Sequence, residues 1–256
     1  MNPPIKLLST DFDGTLFAEF EQPPVPDDLT ELIGDLQARG VKWVINTGRD
    51  MSSLMESLAR AHVRIQPDFL VLVEREIYVH DGVRYAPLQP WNTDCSRDHA
   101  ELFSRIRDAV PQLIGWVNER FKATVYEDPF SPFCLIAGNN DDADQIHEHL
   151  NRFVAEIPEL TVVRNDVYAR FCHAAYNKGS ALAELTRRLE LGPAQILAAG
   201  DHWNDLPMLK PEFARALICP LNAVQAVHEQ VASHGGFIAA RPCGLGVADG
   251  IRHYLK

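Results

Sequence analysis

The sequence predicts an α/β protein: a parallel sheet flanked by helices, interrupted by an inserted α+β domain. Three observations carry this. The first 73 residues alternate short apolar segments with amphipathic ones, the pattern of a parallel sheet built from right-handed crossovers. From Lys178 the same alternation resumes. Between about 90 and 172 the apolar segments come in neighbouring groups, which suits an antiparallel sheet with helices on one face. The expected domains are a discontinuous core, residues 1–85 and 174–256, and an insert, residues 86–173.

The elements follow in order. Ile5 to Thr10 reads as a short buried strand. Prolines in "EQPPVPDD" then stop regular structure, and Asp27 or Asp28 can cap a helix. Leu29, Leu32, Ile33 and Leu36 form its apolar face, and Gly40 ends it. "VKWVIN" (41–46) is the second strand. Asp50 caps a second helix with Met51, Leu54, Met55 and Leu58 facing inward. "FLVLV" (69–73) is the third strand. "EIYVH", Asp81-Gly82 and "VRYA" read as a hairpin. The insert reads as a helix at 97–110, strands at about 114–117, 121–126 and 133–137, a helix at 143–156, and the strands "LTVVRN" and "VYARFCH". The returning core reads as helix 178–190, strand "QILAAG", a helix from about 204, strand "ARALIC", helix 222–233 and a last helix at 245–254. No internal repeat is evident.

Composition narrows the function classes. The chain has 256 residues, 46% hydrophobic and 23% charged, as ordinary globular proteins do. Its net charge of −11 argues against nucleic acid and against an anionic membrane surface. A small anionic substrate is still allowed, because local cations or a bound metal reverse the field within one cleft. The five cysteines are odd in number and form no C-x-x-C pair. Free thiols in a reducing cytosol are the simplest reading, which places the chain in the cytoplasm. The stretch from Met1 to Lys6 has no signal-peptide character, and no segment is long and apolar enough to span a membrane.

The chemistry sits at strand ends. In open parallel sheets ligands bind outside the carboxyl ends of the strands. Asp11 and Asp13 follow the first strand, "NTGRD" (46–50) the second, and "GDHWND" (200–205) the strand "QILAAG". Lys178 opens the first helix after the insert. Asp11, Asp13, Asp201 and Asp205 would bring up to four negative charges into one crevice, and a hard divalent cation relieves that. Oxygen donors without a cysteine pair suit Mg²⁺ more than Zn²⁺. An EF-hand is excluded by spacing, since Gly14 comes too early and position 22 is glutamine. Thr47, Lys178, Arg49 and the backbone N–H groups of the Asp13-Gly14 turn are phosphate-binding donors. Carboxylates, one hard metal and phosphate donors together point to phosphoryl transfer.

"DFDGTL", "NTGR", "NKGSAL" and "GDHWNDLPML", in that order, resemble the haloacid dehalogenase (HAD) superfamily. The resemblance covers residues 5–85 and 174–256 and implies a Rossmann-like HAD core. The insert lies where a type II cap sits, and its element order is similar to the IIB subclass of many sugar-phosphate phosphatases. By resemblance, Asp11 is the nucleophile that forms an aspartyl-phosphate, and Asp13 protonates the leaving alcohol and then activates water. Thr47 and Gly48 hold phosphoryl oxygens, and Lys178 bridges nucleophile and phosphate. Mg²⁺ is held by Asp11, the backbone carbonyl of Asp13, Asp201 and, directly or through water, Asp205. Asn204 is a phosphate-side donor or a support behind the metal ligands. The implied activity is Mg²⁺-dependent hydrolysis of a small sugar-type phosphomonoester, with a small phosphorylated metabolite as the partner. A phosphotransferase or phosphomutase shares these residues. A non-catalytic phospholigand sensor does not need them, and intact Asp13, Lys178 and Asp201 argue against it.

Some residues keep two readings. Arg49 is open between a structural ion pair and a phosphate contact. His202-Trp203 replaces the small pair that relatives often carry, and Glu74-Arg75-Glu76 stands where many show Asn-Gly. His202 either touches substrate or packs. His147 and His149 lie on different helix faces and read as solvated. Arg170 and His173 sit near the return to the core. Trp91, Trp116 and Phe130 either stack on a sugar or belong to the insert's core.

Overall fold

The structure, a computed structural model, describes residues 5–256. Residues 1–4, part of the stretch read as lacking a leader, lie outside the described residues. The chain divides into two compact units, one up to Leu88 together with Lys178–Lys256, the other Gln89–Asn177. The crossings fall a few residues beyond the 85/86 and 173/174 boundaries drawn from sequence.

The first unit is an eight-stranded sheet. Its strands are β1 (Leu7–Thr10), β2 (Lys42–Asn46), β3 (Phe69–Leu72), β4 (Glu76–His80), β5 (Tyr85–Pro87), β10 (Ile196–Ala199), β11 (Ala216–Cys219) and β12 (Phe237–Ile238). They run in the order β12-β11-β10-β1-β2-β3-β4-β5. All neighbours from β12 to β3 are parallel, and β4 and β5 extend the sheet as an antiparallel hairpin. Asp81 closes the hairpin turn, its carboxylate accepting from the N–H groups of Val83 and Arg84 at 2.9 Å. In β1 every residue is buried, with Leu7 level with Ile196 on one side and Lys42 on the other.

The unit's helices are α1 (Asp27–Ala38), α2 (Met51–Arg60), α6 (Lys178–Arg188), α7 (Gln225–Ser233) and α8 (Cys243–Tyr254). α1 starts without a side-chain cap; Pro26 holds the cap position, and Asp27 and Asp28 face the positive end of the helix dipole instead. α2 is capped by Asp50, which accepts from Ser53 N–H at 2.8 Å. Leu29, Ile33 and Leu36 of α1 share a buried cluster with Leu8, Trp43 and Ile45 of the sheet and Val247 and Ile251 of α8. Fully burying such a side chain is worth about 1.5–3 kcal/mol, so this layer holds β1 and β2 rigidly side by side. Trp43 buries its indole and donates Nε1–H to Thr10 at 3.0 Å.

The expected helix from 204 is instead a three-residue 3₁₀ turn, Trp203–Asp205, followed by further turns. The short β12 has no counterpart in the sequence reading.

The second unit has helices α3 (Trp91–Ile106), α4 (Val110–Arg120) and α5 (Asn140–Ala155). Its sheet contains β6 (Ala123–Asp128), β7 (Ser131–Ala137), β8 (Leu160–Asn165) and β9 (Tyr168–His173), ordered β6-β7-β9-β8 and antiparallel throughout. Residues 114–117, expected as a strand, lie within α4. Val110, Leu113 and Val117 are buried at helical spacing, and that period overrides the local β preference of "IGWV". Leu102, Ile106, Val117, Ile146 and Leu150 of the helices meet Phe133, Leu135, Val162 and Phe171 of the sheet in one core. Trp116 stacks on His149 with ring centres 3.7 Å apart, so this histidine is packed rather than solvated. Trp91 meets Tyr176 edge-on. Arg170 lies over the Tyr168 ring, and His173 donates its backbone N–H to His99.

Candidate active site

The central strand β1 delivers Asp11 to the carboxyl edge of the sheet. Its N–H still pairs with Ala199 at 2.9 Å, so the first carboxylate is held by the ladder itself. The chain then folds back on itself: Leu16 and Phe17 N–H both return to Phe12 O at 2.8 Å, and Phe12 stacks on Phe17. Gly14 has φ +75°, and a Cβ there would lie 2.3 Å from Asp201 Oδ2. Glycine is therefore required twice, by backbone conformation and by the close approach of a carboxylate. Thr15 donates its hydroxyl to the other Asp201 oxygen at 2.6 Å.

Lys178 begins α6 with its side chain fully buried. Its Nζ donates to Asp11 Oδ1 at 2.5 Å and to Asp205 Oδ1 at 2.6 Å. Its carbonyl accepts from the Asn46 side chain at 3.0 Å, which fixes the start of the helix. Asp205 is also the clasp of its own loop. Its Oδ2 accepts the N–H groups of Asp201 and His202 at 2.8 and 2.9 Å. The two aspartates are thus joined by a carboxylate-to-backbone bond within the loop.

Oxygens of Asp11, Asp201 and Asp205 lie within 4.8 Å of one another, all buried. Asp13 is outside that group. Both its oxygens pair with Arg49, at 2.7 Å each. Electrostatics register the crowding. Burial raises the Asp11 carboxyl well above its ordinary value; Asp205, Asp201 and Asp13 add to the rise, and Lys178 opposes it. Burial and Asp205 push Asp201 up to about 7, against Thr15 and Lys178. Burial works against the charge on Lys178, yet Asp11, Asp205 and Glu74 hold its pKa above the usual lysine value. One lysine faces three buried carboxylates, a negative excess that a hard cation fits.

Thr47 is buried at the end of β2. Its hydroxyl oxygen accepts from Arg49 N–H at 3.2 Å, a bond that does not engage its own hydrogen. Gly48 lies between them in that turn. Asn204 is buried and donates Nδ2–H to Glu74 Oε1 at 2.8 Å, while Asn204 Oδ1 and Glu74 Oε2 have no hydrogen-bond partner among the described residues. Sequence reasoning gave Glu74 no role. The signal was a charged residue directly after the buried "FLVLV"; the structure places Val73 and Glu74 at φ +44° and +67°, bonded through their N–H groups to Arg49 O and Thr47 O. The sequence reading also missed Asn222, whose side chain donates to Gly14 O at 2.8 Å and accepts from Cys243 N–H at 2.8 Å. Trp203 is 38% exposed and meets His202 edge-on, so it is not core filling. All these residues except Val73, Glu74, Asn222 and Cys243 were within or beside the four clusters read from sequence, and all belong to the first unit.

The family model of sucrose-6F-phosphate phosphohydrolase matches residues 4–255, nearly the whole chain. The chain belongs to that family. Within the HAD superfamily, sucrose-6F-phosphate phosphohydrolases are phosphatases, and phosphoester hydrolysis is the activity of this family member. A glucosylglycerol-phosphate synthase of Pseudomonas anguilliseptica is 28% identical over 218 residues; these span 81% of this chain and only 25% of that protein. A 5-amino-6-(5-phospho-D-ribitylamino)uracil phosphatase of Bacillus subtilis is 25% identical, covering 98% of this chain and 96% of its own. The sucrose-phosphatase of Synechocystis, solved with sucrose and phosphate, superposes with a TM-score of 0.72 at 21% identity, over 98% of each chain. Among the described residues no helix is long and apolar enough to cross a membrane.

Proposed function

We propose that the chain is a Mg²⁺-dependent phosphomonoesterase that works through an aspartyl-phosphate on a small, sugar-type phosphate. The observation that carries this is the buried Asp11, held by Lys178 inside a three-carboxylate cluster. Asp11 attacks phosphorus with a carboxylate oxygen, and the bond from phosphorus to the leaving alcohol breaks. Asp13 gives that alcohol its proton. Water then attacks phosphorus, Asp13 takes a proton back, and the acyl-phosphate bond breaks to return free Asp11 and inorganic phosphate. The Thr47 hydroxyl and Gly48 hold phosphoryl oxygens, and Lys178 offsets their charge.

Asp11, Asp201 and Asp205, with the Asp13 carbonyl, would hold Mg²⁺, which when bound draws charge from the phosphoryl oxygens. The raised carboxyl pKa values at Asp11 and Asp201 support such a site, since a cation removes their mutual repulsion. The Gln89–Asn177 unit is assigned the part of a type IIB cap that reads the leaving group. Family membership supports a sugar-type substrate. The test is p-nitrophenyl phosphate turnover by the purified chain. It is expected to vanish in EDTA, to return with Mg²⁺, and to be absent in Asp11→Asn. Full activity of Asp11→Asn, or indifference to EDTA, overturns the proposal.

A further inference from the structure

Arg49 leaves the end of β2 just ahead of α2, in the turn where a phosphate contact was one of its two readings. Its guanidinium is already committed. Nε and Nη2 donate to the two Asp13 oxygens at 2.7 Å each, and Nη1 donates to Ser53 Oγ and Ser57 Oγ at 2.9 Å each. The guanidinium carbon lies 5.5 and 5.7 Å from the ring centres of Phe12 and Phe17. Of the five N–H groups a guanidinium offers, these bonds engage Nε–H, one on Nη2 and both on Nη1.

The arrangement is built from local sequence. Ser53 and Ser57 are one and two helical turns beyond Arg49, so α2 presents both hydroxyls to the same side. Phe12 neighbours Asp13, and its stacking on Phe17 makes the surface that the guanidinium covers. A two-point fork fixes the plane of the carboxylate it grips, which a lysine ammonium does not. The Asp13 side chain keeps 38% of its surface exposed within this grip. Arg49 thus fixes the position of the carboxylate while part of it stays open to solvent.

We infer that Arg49 is the positioning residue for Asp13 and not a phosphate ligand. This rests on the assignment of Asp13 as the proton donor to the leaving alcohol. The two roles of Arg49 separate cleanly in kinetics. A phosphate ligand touches the part common to every substrate. A residue that aims the proton donor matters in proportion to how badly the leaving group needs a proton.

The experiment measures kcat/KM, which reports the step that expels the leaving group, for aryl phosphates from 2,4-dinitrophenyl to 4-methoxyphenyl. The proteins are the full chain and its Arg49→Met, Arg49→Lys, Asp13→Asn and Arg49→Met/Asp13→Asn variants, each with Mg²⁺. A positioned proton donor contributes about 10²–10⁴-fold, so Arg49→Met is expected to lose about 100-fold on the poorest leaving group and under about tenfold on dinitrophenyl phosphate. Asp13→Asn shows the same split, Arg49→Lys recovers part of it, and the double variant is no worse than Asp13→Asn. Inhibition by inorganic phosphate stays at the parent level. Equal loss across all leaving groups, weakened phosphate inhibition, or losses that multiply in the double variant overturn the inference. If Asp13→Asn itself shows no split, the proton-donor assignment fails first, and the role of Arg49 falls with it. Arg49→Lys carries the same test should Arg49→Met not fold.

Discussion

Replacing Lys178 with methionine keeps most of the side-chain volume and removes the ammonium that bridges Asp11 and Asp205. The lysine is fully buried, and its two bonds, 2.5 and 2.6 Å, are to carboxylates that are themselves buried. Removing one partner of a buried ion pair costs about 3–5 kcal/mol, because the other charge is left uncompensated. For a chain of this size each kcal/mol moves the melting temperature by about 2–4 °C, so Lys178→Met is expected to melt about 6–20 °C lower at pH 8. The deficit must depend on pH in a set direction. Without Lys178 the Asp11 carboxyl, already raised, rises further. A carboxyl raised on folding leaves stability intact below its unfolded value and removes it as pH climbs through the folded one. The gap between Lys178→Met and the parent therefore widens from pH 5 to pH 8. Adding Asp11→Asn to Lys178→Met recovers part of the loss, since the buried charge is gone. Melting followed by circular dichroism in EDTA checks all three. A melting temperature within about 2 °C of the parent at pH 8 refutes the reasoning, as does a gap that narrows with rising pH.

Two further outcomes follow from the same cluster. In metal-free protein, the Asp201 carboxyl, pushed to about 7, removes stability as pH rises from its ordinary value toward 7. Mg²⁺ is therefore expected to raise the melting temperature more at pH 8 than at pH 5, and a shift independent of pH across fluorimetric melts contradicts this. Gly14→Ala puts a methyl group 2.3 Å from Asp201 Oδ2 at φ +75°. It is expected to destabilise the chain by about 1 kcal/mol or more and to weaken Mg²⁺ binding measured by calorimetry; parent-level affinity would show that Asp201 moves aside freely.

Much of the fold was legible because it is written in periods. Leu29, Ile33 and Leu36 announce one helix face, and the four-residue β1 is apolar enough to be buried on both sides. Residues 114–117 were misread because Ile, Trp and Val favour strands locally, while the deciding contacts, Val110 to Leu113 to Val117, span a longer window. The turn at 203–205 was misread for a related reason: Asp205 spends its carboxylate on the N–H groups of 201 and 202, an arrangement that satisfies the loop without a helix.

The candidate site divides in the same way. The sequence alone determined which residues stand at the strand ends, because a buried strand that stops at carboxylates and glycine has few other uses. Asp11, Asp13, Thr47, Lys178, Asp201 and Asp205 were all readable from their own neighbourhoods. Only the tertiary structure decided which charge meets which. Arg49 faces Asp13 rather than open cleft, Lys178 divides itself between Asp11 and Asp205, and Asn204 turns to Glu74, which no motif marked. Local rules act over one or two helical turns. Pairing among buried charges is settled by ångström distances between segments up to 167 residues apart, where low dielectric makes each choice of partner decisive.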